Sequence, residues 1–203
     1  MKFYHVSRKS DHKDGKDFTN LQKIIEKQKE NLKNIYPDNP KFLLQLYDKM
    51  EERDTFSNWG YRFFWDNFFS LLSVATVVPV ETDYLCSLLI DLFYELIRQV
   101  HFKNCPSRFE SVFAFKEKTD VKKFVELVKC HDNCKILTLD VKIEDAFEVD
   151  MNLLRLGNNF AEIEIFAKRY WSQEKSDEPI LEYFLPKTAK IVSISDLNHF
   201  LNQ

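Results

Sequence analysis

Glycine is nearly missing from this chain. Gly15, Gly60 and Gly157 are the three in 203 residues, where an average usage of about 7% would give roughly fourteen. They stand more than forty residues apart, so neither a G-x-G-x-x-G turn nor a P-loop can be assembled from them. Simple Rossmann dehydrogenases and P-loop NTPases are therefore excluded, and a bound nucleotide must be held in another way. An excess of one charge is missing too. With 29 basic and 32 acidic residues the net charge is −3, which gives no global field to gather nucleic acid, although a local basic groove stays open. Long apolar runs are also lacking. The longest uncharged stretch, between Asp66 and Glu81, is fourteen residues broken by Pro79, against about 20 for a membrane span. The opening Met1-Lys2-Phe3-Tyr4-His5-Val6 has no apolar core of a signal peptide. The protein is expected in the cytoplasm, or exported without a recognisable N-terminal signal. Its four cysteines are then expected as free thiols.

What the chain has is phenylalanine, nineteen of them, within a 44% hydrophobic composition. That is ample for a packed core, and one domain is expected over 1–203. Residues 1–8 alternate apolar and polar side chains like a short strand, then break into a charged stretch ending near Gly15. From 18 to 102 the spacing turns helical. Leu21, Ile24, Ile25, Leu32 and Ile35 mark a first helix, Phe42, Leu43, Leu46, Tyr47 and Met50 a second, and Phe63, Phe64, Phe68, Leu71 and Leu72 a third. Thr82 opens a fourth, whose apolar face is Leu85, Leu88, Leu89, Leu92, Phe93, Leu96 and Ile97. The second half reads as α+β. Strands are expected over 111–115, 135–141, 180–185 and 189–194, helices over 120–129 and 160–171, and a short last helix capped by Ser195. The core is thus assigned to 1–17 and 103–203, with 18–102 as a helical insertion after the first strand.

Three segments place a polar residue among apolar strand residues: Tyr4-His5-Val6-Ser7, then Pro106-Ser107-Arg108-Phe109-Glu110-Ser111-Val112-Phe113-Ala114-Phe115, then Glu182-Tyr183-Phe184-Leu185-Pro186 leading into Ala189-Lys190-Ile191-Val192. In order and kind they resemble the ADP-ribosyltransferase superfamily, in which three separated strands supply His or Arg, then Tyr or Ser, then Glu. Together with Ala167-Lys168-Arg169-Tyr170-Trp171 they look like an uncharacterised bacterial branch of it. The resemblance covers some forty residues and not the helical block. It implies a split mixed β-sheet core and NAD⁺ as substrate, with nicotinamide released and ADP-ribose passed to a macromolecular acceptor, protein or nucleic acid. A toxin or effector role would be in keeping with it. Glu182 would be the catalytic carboxylate, stabilising oxocarbenium-like charge on the ribose. His5 would bind the adenosine-side ribose, backbone groups of Val6 or Ser7 the nicotinamide amide, and Ser111 would support Glu182 or the ribose. Phe113, Phe115 or Tyr170 would stack on the nicotinamide ring. The chain departs from the family where Val6 follows His5 in place of glycine, where Ser111 and phenylalanines replace tyrosine, and where Glu178 stands four residues before Glu182 rather than two.

Plainer readings stand beside these. His5 can be a core histidine satisfied by its neighbours, and Glu182 a charge at a strand end, although an unpaired buried carboxylate is costly. Arg108 can hold a phosphate of the dinucleotide bidentately, or pair with Glu110 or another carboxylate. Trp59, Phe63, Phe64, Trp65, Phe68 and Phe69 read as core of the insertion, with a protein-facing aromatic surface as the alternative. Cys130-His131-x-x-Cys134 with His101-x-x-x-Cys105 has ligands enough for zinc, but the halves form no known pairing and no metal is expected. RNA 2′-phosphate transfer would want more basic residues than Arg8, Arg108 and Arg169. The rival to an enzyme is a non-catalytic module on the same fold that binds a nucleotide or a protein.

Overall fold

A computed structural model of the chain describes residues 1–7, 82–129 and 134–202. The helices expected between residues 18 and 72 lie outside the described residues. The first strand, β1 (Lys2–Ser7), forms where the sequence alternates. A long helix, α1 (Thr82–His101), opens at the expected threonine. A single 3₁₀ turn over Arg108–Glu110 leads into β2 (Ser111–Phe115). The Ser107 hydroxyl caps that turn by accepting the Phe109 amide at 3.2 Å. Then follow α2 (Lys118–Leu127), β3 (Lys135–Asp140), β4 (Phe147–Asp150), α3 (Phe160–Trp171), β5 (Leu181–Pro186), β6 (Lys190–Asp196) and α4 (Leu197–Leu201). Asp196, one residue beyond the expected Ser195, is the N-cap of α4.

The strands form one sheet in the order β4-β5-β2-β1-β3-β6. A mixed sheet was expected, yet all five pairings are antiparallel. The reason is the crossover through α2. It joins β2 to β3, which run in the same direction, but β1 lies between them and takes the hydrogen bonds of both. The ladders are unequal. β1 pairs with β3 over six residues and β2 with β5 over five, whereas β1 and β2 meet at Tyr4↔Phe115 alone. The sheet is thus two three-stranded halves, β4-β5-β2 and β1-β3-β6, joined by one rung.

The halves must also fold toward one another. Residues 187–189 are the whole link between β5 and β6, four places apart in the order. Four Cα steps of about 3.8 Å reach at most about 15 Å, short of the roughly 19 Å that four flat strand spacings would need. One core confirms the fold-over, since Tyr183 and Leu185 of β5 share it with Phe3, Leu137, Leu139 and Ile191. On the outer faces, α1 and α3 cover the β4-β5-β2 half, and α2 and α4 cover the other. Trp171 fastens α3 to α1 by donating its Nε1–H to the Tyr94 carbonyl at 2.8 Å.

α1 packs with an unexpected face. Leu89, Leu92, Leu96 and Val100 are exposed, while Asp91, Tyr94 and Glu95 are buried. Of the apolar residues counted from the sequence, Phe93 and Ile97 pack against the core, whereas Leu89, Leu92 and Leu96 face outward. Glu95 holds Arg98 through both carboxylate oxygens, and Arg98 reaches on to the Cys105 carbonyl at 2.9 Å. Cysteine chemistry differs as well. Cys86 and Cys105 are free, but Cys134 is disulfide-bonded, which departs from four free thiols and removes its thiolate from any metal. Among the described residues no helix is long and apolar enough to cross a membrane.

β4 ends in a buried carboxylate. Asp150 accepts the backbone N–H of Asn152, Ser176 and Ile180 and the Ser176 hydroxyl, so it pins the 172–180 loop ahead of β5. Burial alone would raise its pKa, but these hydrogen bonds, led by Ser176, hold it below the ordinary value. Asp150→Asn keeps the shape but turns an amide donor toward the Ser176 donors. It should cost about 1–3 kcal/mol in urea unfolding at pH 7. The difference should shrink as pH falls below about 3.8, where the unfolded chain takes up a proton that the native carboxylate, held lower, still refuses. A cost unchanged between pH 7 and pH 3 would contradict this account.

Candidate functional site

Opposed residues of an antiparallel ladder project to the same face. The row Thr138–Tyr4–Phe115–Glu182–Val149 therefore fixes the side on which Glu182 stands. It is the face of the β4-β5-β2 half that lies beneath α1 and α3. There Glu182 is 3% exposed, and the described groups meeting it are charged or aromatic. Arg108, delivered by the 3₁₀ turn before β2, reaches the Glu182 Oε2 at 3.4 Å through its Nη1. Its Nε donates to Asp91 Oδ1 of α1 at 3.0 Å, and Nη1 also meets the Tyr170 hydroxyl of α3. The planar guanidinium lies 4.7 Å from the Phe113 ring centre, 5.5 Å from Phe184 and 5.8 Å from Tyr170. A cation is thus caged by three rings and faced by two carboxylates.

The electrostatics of this cage are unbalanced. Burial pushes the Glu182 carboxyl up to about 7, against the pull of Arg108, with the Asp91 charge adding to the rise. Burial raises Asp91 as well, and its closer contact with Arg108 offsets only part of that. Two carboxylates ionised against one guanidinium would leave a negative charge in a dry pocket, so the pair tends to keep one proton near neutral pH. Burial likewise raises the Tyr170 hydroxyl well above its ordinary value, keeping it a neutral donor or acceptor.

His5 sits elsewhere. Alternation puts it on the face opposite Glu182, one residue past the single β1–β2 rung. Its Nδ1 lies 2.6 Å from the Phe113 carbonyl. The ring thus ties β1 to the backbone of β2 just past the rung. A nitrogen facing a carbonyl must carry the proton, so Nδ1 is the donor of this bond. From β1 to β5 is two strand spacings, about 10 Å.

Of the residues singled out from the sequence, Arg108, Phe113, Tyr170 and Glu182 come together in the cage. His5 stands at the parting of the half-sheets beside the backbone of Phe113. Ser111 donates to the Ser107 carbonyl at 2.7 Å, within its own turn and four residues along β2 from the rung that faces Glu182. Phe115 packs on Phe124 in the core under α2, with Val6 at the margin of that core, and Ser7 is buried at the end of β1. Cys130 and His131 lie outside the described residues, and among the described residues no cluster of three metal-ligating side chains occurs. Asp91 was overlooked. Its signal was available, because Asp91 and Glu95 stand at i, i+4, a spacing that gives them one face, while Leu89, Leu92 and Leu96 are exposed.

No curated protein matches the chain. Residues 3–197 match DUF2441, a family of proteins of unknown function, and with that match spanning nearly its whole length the chain belongs to the DUF2441 family.

Proposed function

We infer that the protein is an ADP-ribosyltransferase-like enzyme, cleaving the nicotinamide–ribose bond of NAD⁺ and passing ADP-ribose to a macromolecular acceptor. One observation carries this reading: β1, β2 and β5, which bear His5, Ser111 and Glu182, are side-by-side neighbours in the sheet, although His5 and Glu182 stand 177 positions apart in the chain. The single Tyr4–Phe115 rung joining the half-sheets supports it, since a dinucleotide lying across that junction would touch groups of both faces. The imidazole of His5 is of a kind that suits a ribose hydroxyl. Glu182 supplies the carboxylate for developing positive charge, which is stabilised best where water is excluded. Phe113 and Tyr170 offer faces to a flat cationic ring. No step in this chemistry asks for a glycine loop.

The test is incubation with NAD⁺ labelled in its ADP-ribose part, in the presence of lysate. Wild type should release nicotinamide and label a macromolecule, and Glu182→Gln should lower the rate by about 10²–10³, the cost of losing one aligned electrostatic group, with an unchanged circular dichroism spectrum. Because the ionised carboxylate does the work, kcat/KM should rise with pH up to about 7 and then level. Wild type that neither labels anything nor hydrolyses NAD⁺ sinks the enzymatic reading. The burial of Glu182 favours a second reading, a nucleotide-binding module without turnover. That reading predicts a thermal shift with NAD⁺ and no nicotinamide release.

A further inference from the structure

α1 presents a row of apolar side chains away from the core. Leu89, Leu92, Leu96 and Val100 are between 42% and 57% exposed, while Phe93 and Ile97 of the same helix pack inward. In the sequence Leu85 precedes the row, so that positions 85, 89, 92 and 96 are spaced four, three and four. Leucine at a mean spacing of 3.5 makes the narrow seam by which one helix packs along another.

Residues 8–81, which run into α1 at Thr82, lie outside the described residues. Three apolar stripes precede α1 in that part of the sequence. The stripe of residues 21–35 is broken by Gln28, and that of 42–50 is only about two turns long. The third, in the helix expected from its cap Ser57 to Leu72, is unbroken, with Tyr61, Phe64, Phe68 and Leu71 spaced three, four and three. Run antiparallel, it meets α1 layer by layer: Leu71 with Leu85, Phe68 with Leu89, Phe64 with Leu92 and Tyr61 with Leu96. We propose that the segment 57–72 docks along the outer face of α1 in this register. α1 then bears Asp91 toward Arg108 on one side and the insertion on another.

Chain length, area and family favour this occupant over a separate one. Residues 73–81, with Pro79 among them, are close to the usual length of a connection between antiparallel helices, about 2–8 residues. Four half-exposed side chains offer on the order of 300–400 Å² of apolar surface, under half of the roughly 800 Å² per partner in a stable complex. A segment tethered nine residues away loses little further translational freedom on docking, so a surface of that size is enough for it. The family match over residues 3–197 also takes in the segment together with both of its flanks.

Two measurements test the docking. Exposed positions usually tolerate a polar residue with little effect. Leu89→Gln/Leu96→Gln should nevertheless lower the Tm by about 5–10 °C and speed tryptic cleavage after Arg62 at least about tenfold, as the undocked population grows, with the protein a monomer throughout. An unchanged Tm with unchanged cleavage overturns the proposal. So does a wild-type dimer that the substitutions dissociate, which would make a second copy the occupant. The second measurement is disulfide trapping in a Cys86→Ser/Cys105→Ser background, read by peptide mass spectrometry. Packed seam positions come within disulfide reach, about 7 Å between Cα atoms. Phe68→Cys/Leu89→Cys should therefore close within the monomer at least about tenfold faster than Phe68→Cys/Leu127→Cys, whose second site is exposed at the end of α2. Equal rates for the two pairs overturn the register and the docking with it, whatever the stability of the glutamine variant.

Discussion

Arg108→Met should destabilise the protein by about 3–5 kcal/mol at pH 8, the usual result of removing one partner from a buried ion pair. The methionine refills most of the volume between the Phe113, Phe184 and Tyr170 rings, so packing is not the main loss. What remains is Asp91 and Glu182, both buried and both without the guanidinium that faces them. They escape by protonating, and the cost is therefore pH-dependent. Both carboxyls already titrate above their ordinary range with Arg108 present, and without it they rise further. At pH 5 they are neutral in the folded variant at little expense, so the destabilisation should fall by half or more. Urea unfolding of both proteins at the two pH values measures this directly. A loss equal at pH 5 and pH 8 would show that the side chain matters through packing alone.

The parts of the fold that the sequence made legible are those whose periodicity is undisturbed by buried charge. The limits of α1, β2, β3 and α3 follow from apolar spacing almost to the residue. β4 escaped notice because Phe147-Glu148-Val149-Asp150 is four residues long with an acid at every second place. Its Glu148 is in fact held by the Tyr183 hydroxyl and Lys175, and its Asp150 by the loop ahead of β5. Acids that look exposed in the sequence are partnered in space. The direction of the sheet was hidden for a related reason. A βα unit after β2 argues for parallel neighbours, and only the insertion of β1 between β2 and β3 changes that.

The site was legible by residue but not by arrangement. An acid opening an apolar strand and a histidine inside another can be seen in the sequence, and both prove to hold defined places. Their relative faces depend on the β1–β2 register, which rests on one pair, and no sequence pattern announces it. Hydrophobicity alone does not set the inner face of α1, because Arg108 demands an acid there beside Phe93 and Ile97. A buried cation thus selected Asp91 over the leucines at the inner face.

The last expectation concerns Glu182 alone, and its sign separates a functional carboxylate from a structural one. An acid whose folded pKa lies near 7 rather than about 4.5 binds its proton more tightly in the folded state. Its contribution to stability is complete below about pH 4.5 and is lost as pH rises through about 7. The separation corresponds to on the order of 3 kcal/mol at about 1.36 kcal/mol per pH unit. Glutamine resembles the protonated acid in shape and charge, and so escapes that loss. Glu182→Gln should match wild type near pH 4.5 and exceed it at pH 8 by up to about 3 kcal/mol, or roughly 6–12 °C in Tm for a chain of this length. If Glu182 were present to fasten Arg108, the order would reverse, with glutamine the less stable at pH 8 because the cation loses a partner. A residue that weakens the fold at neutral pH, where a neutral isostere would strengthen it, is one whose charge is kept for chemistry.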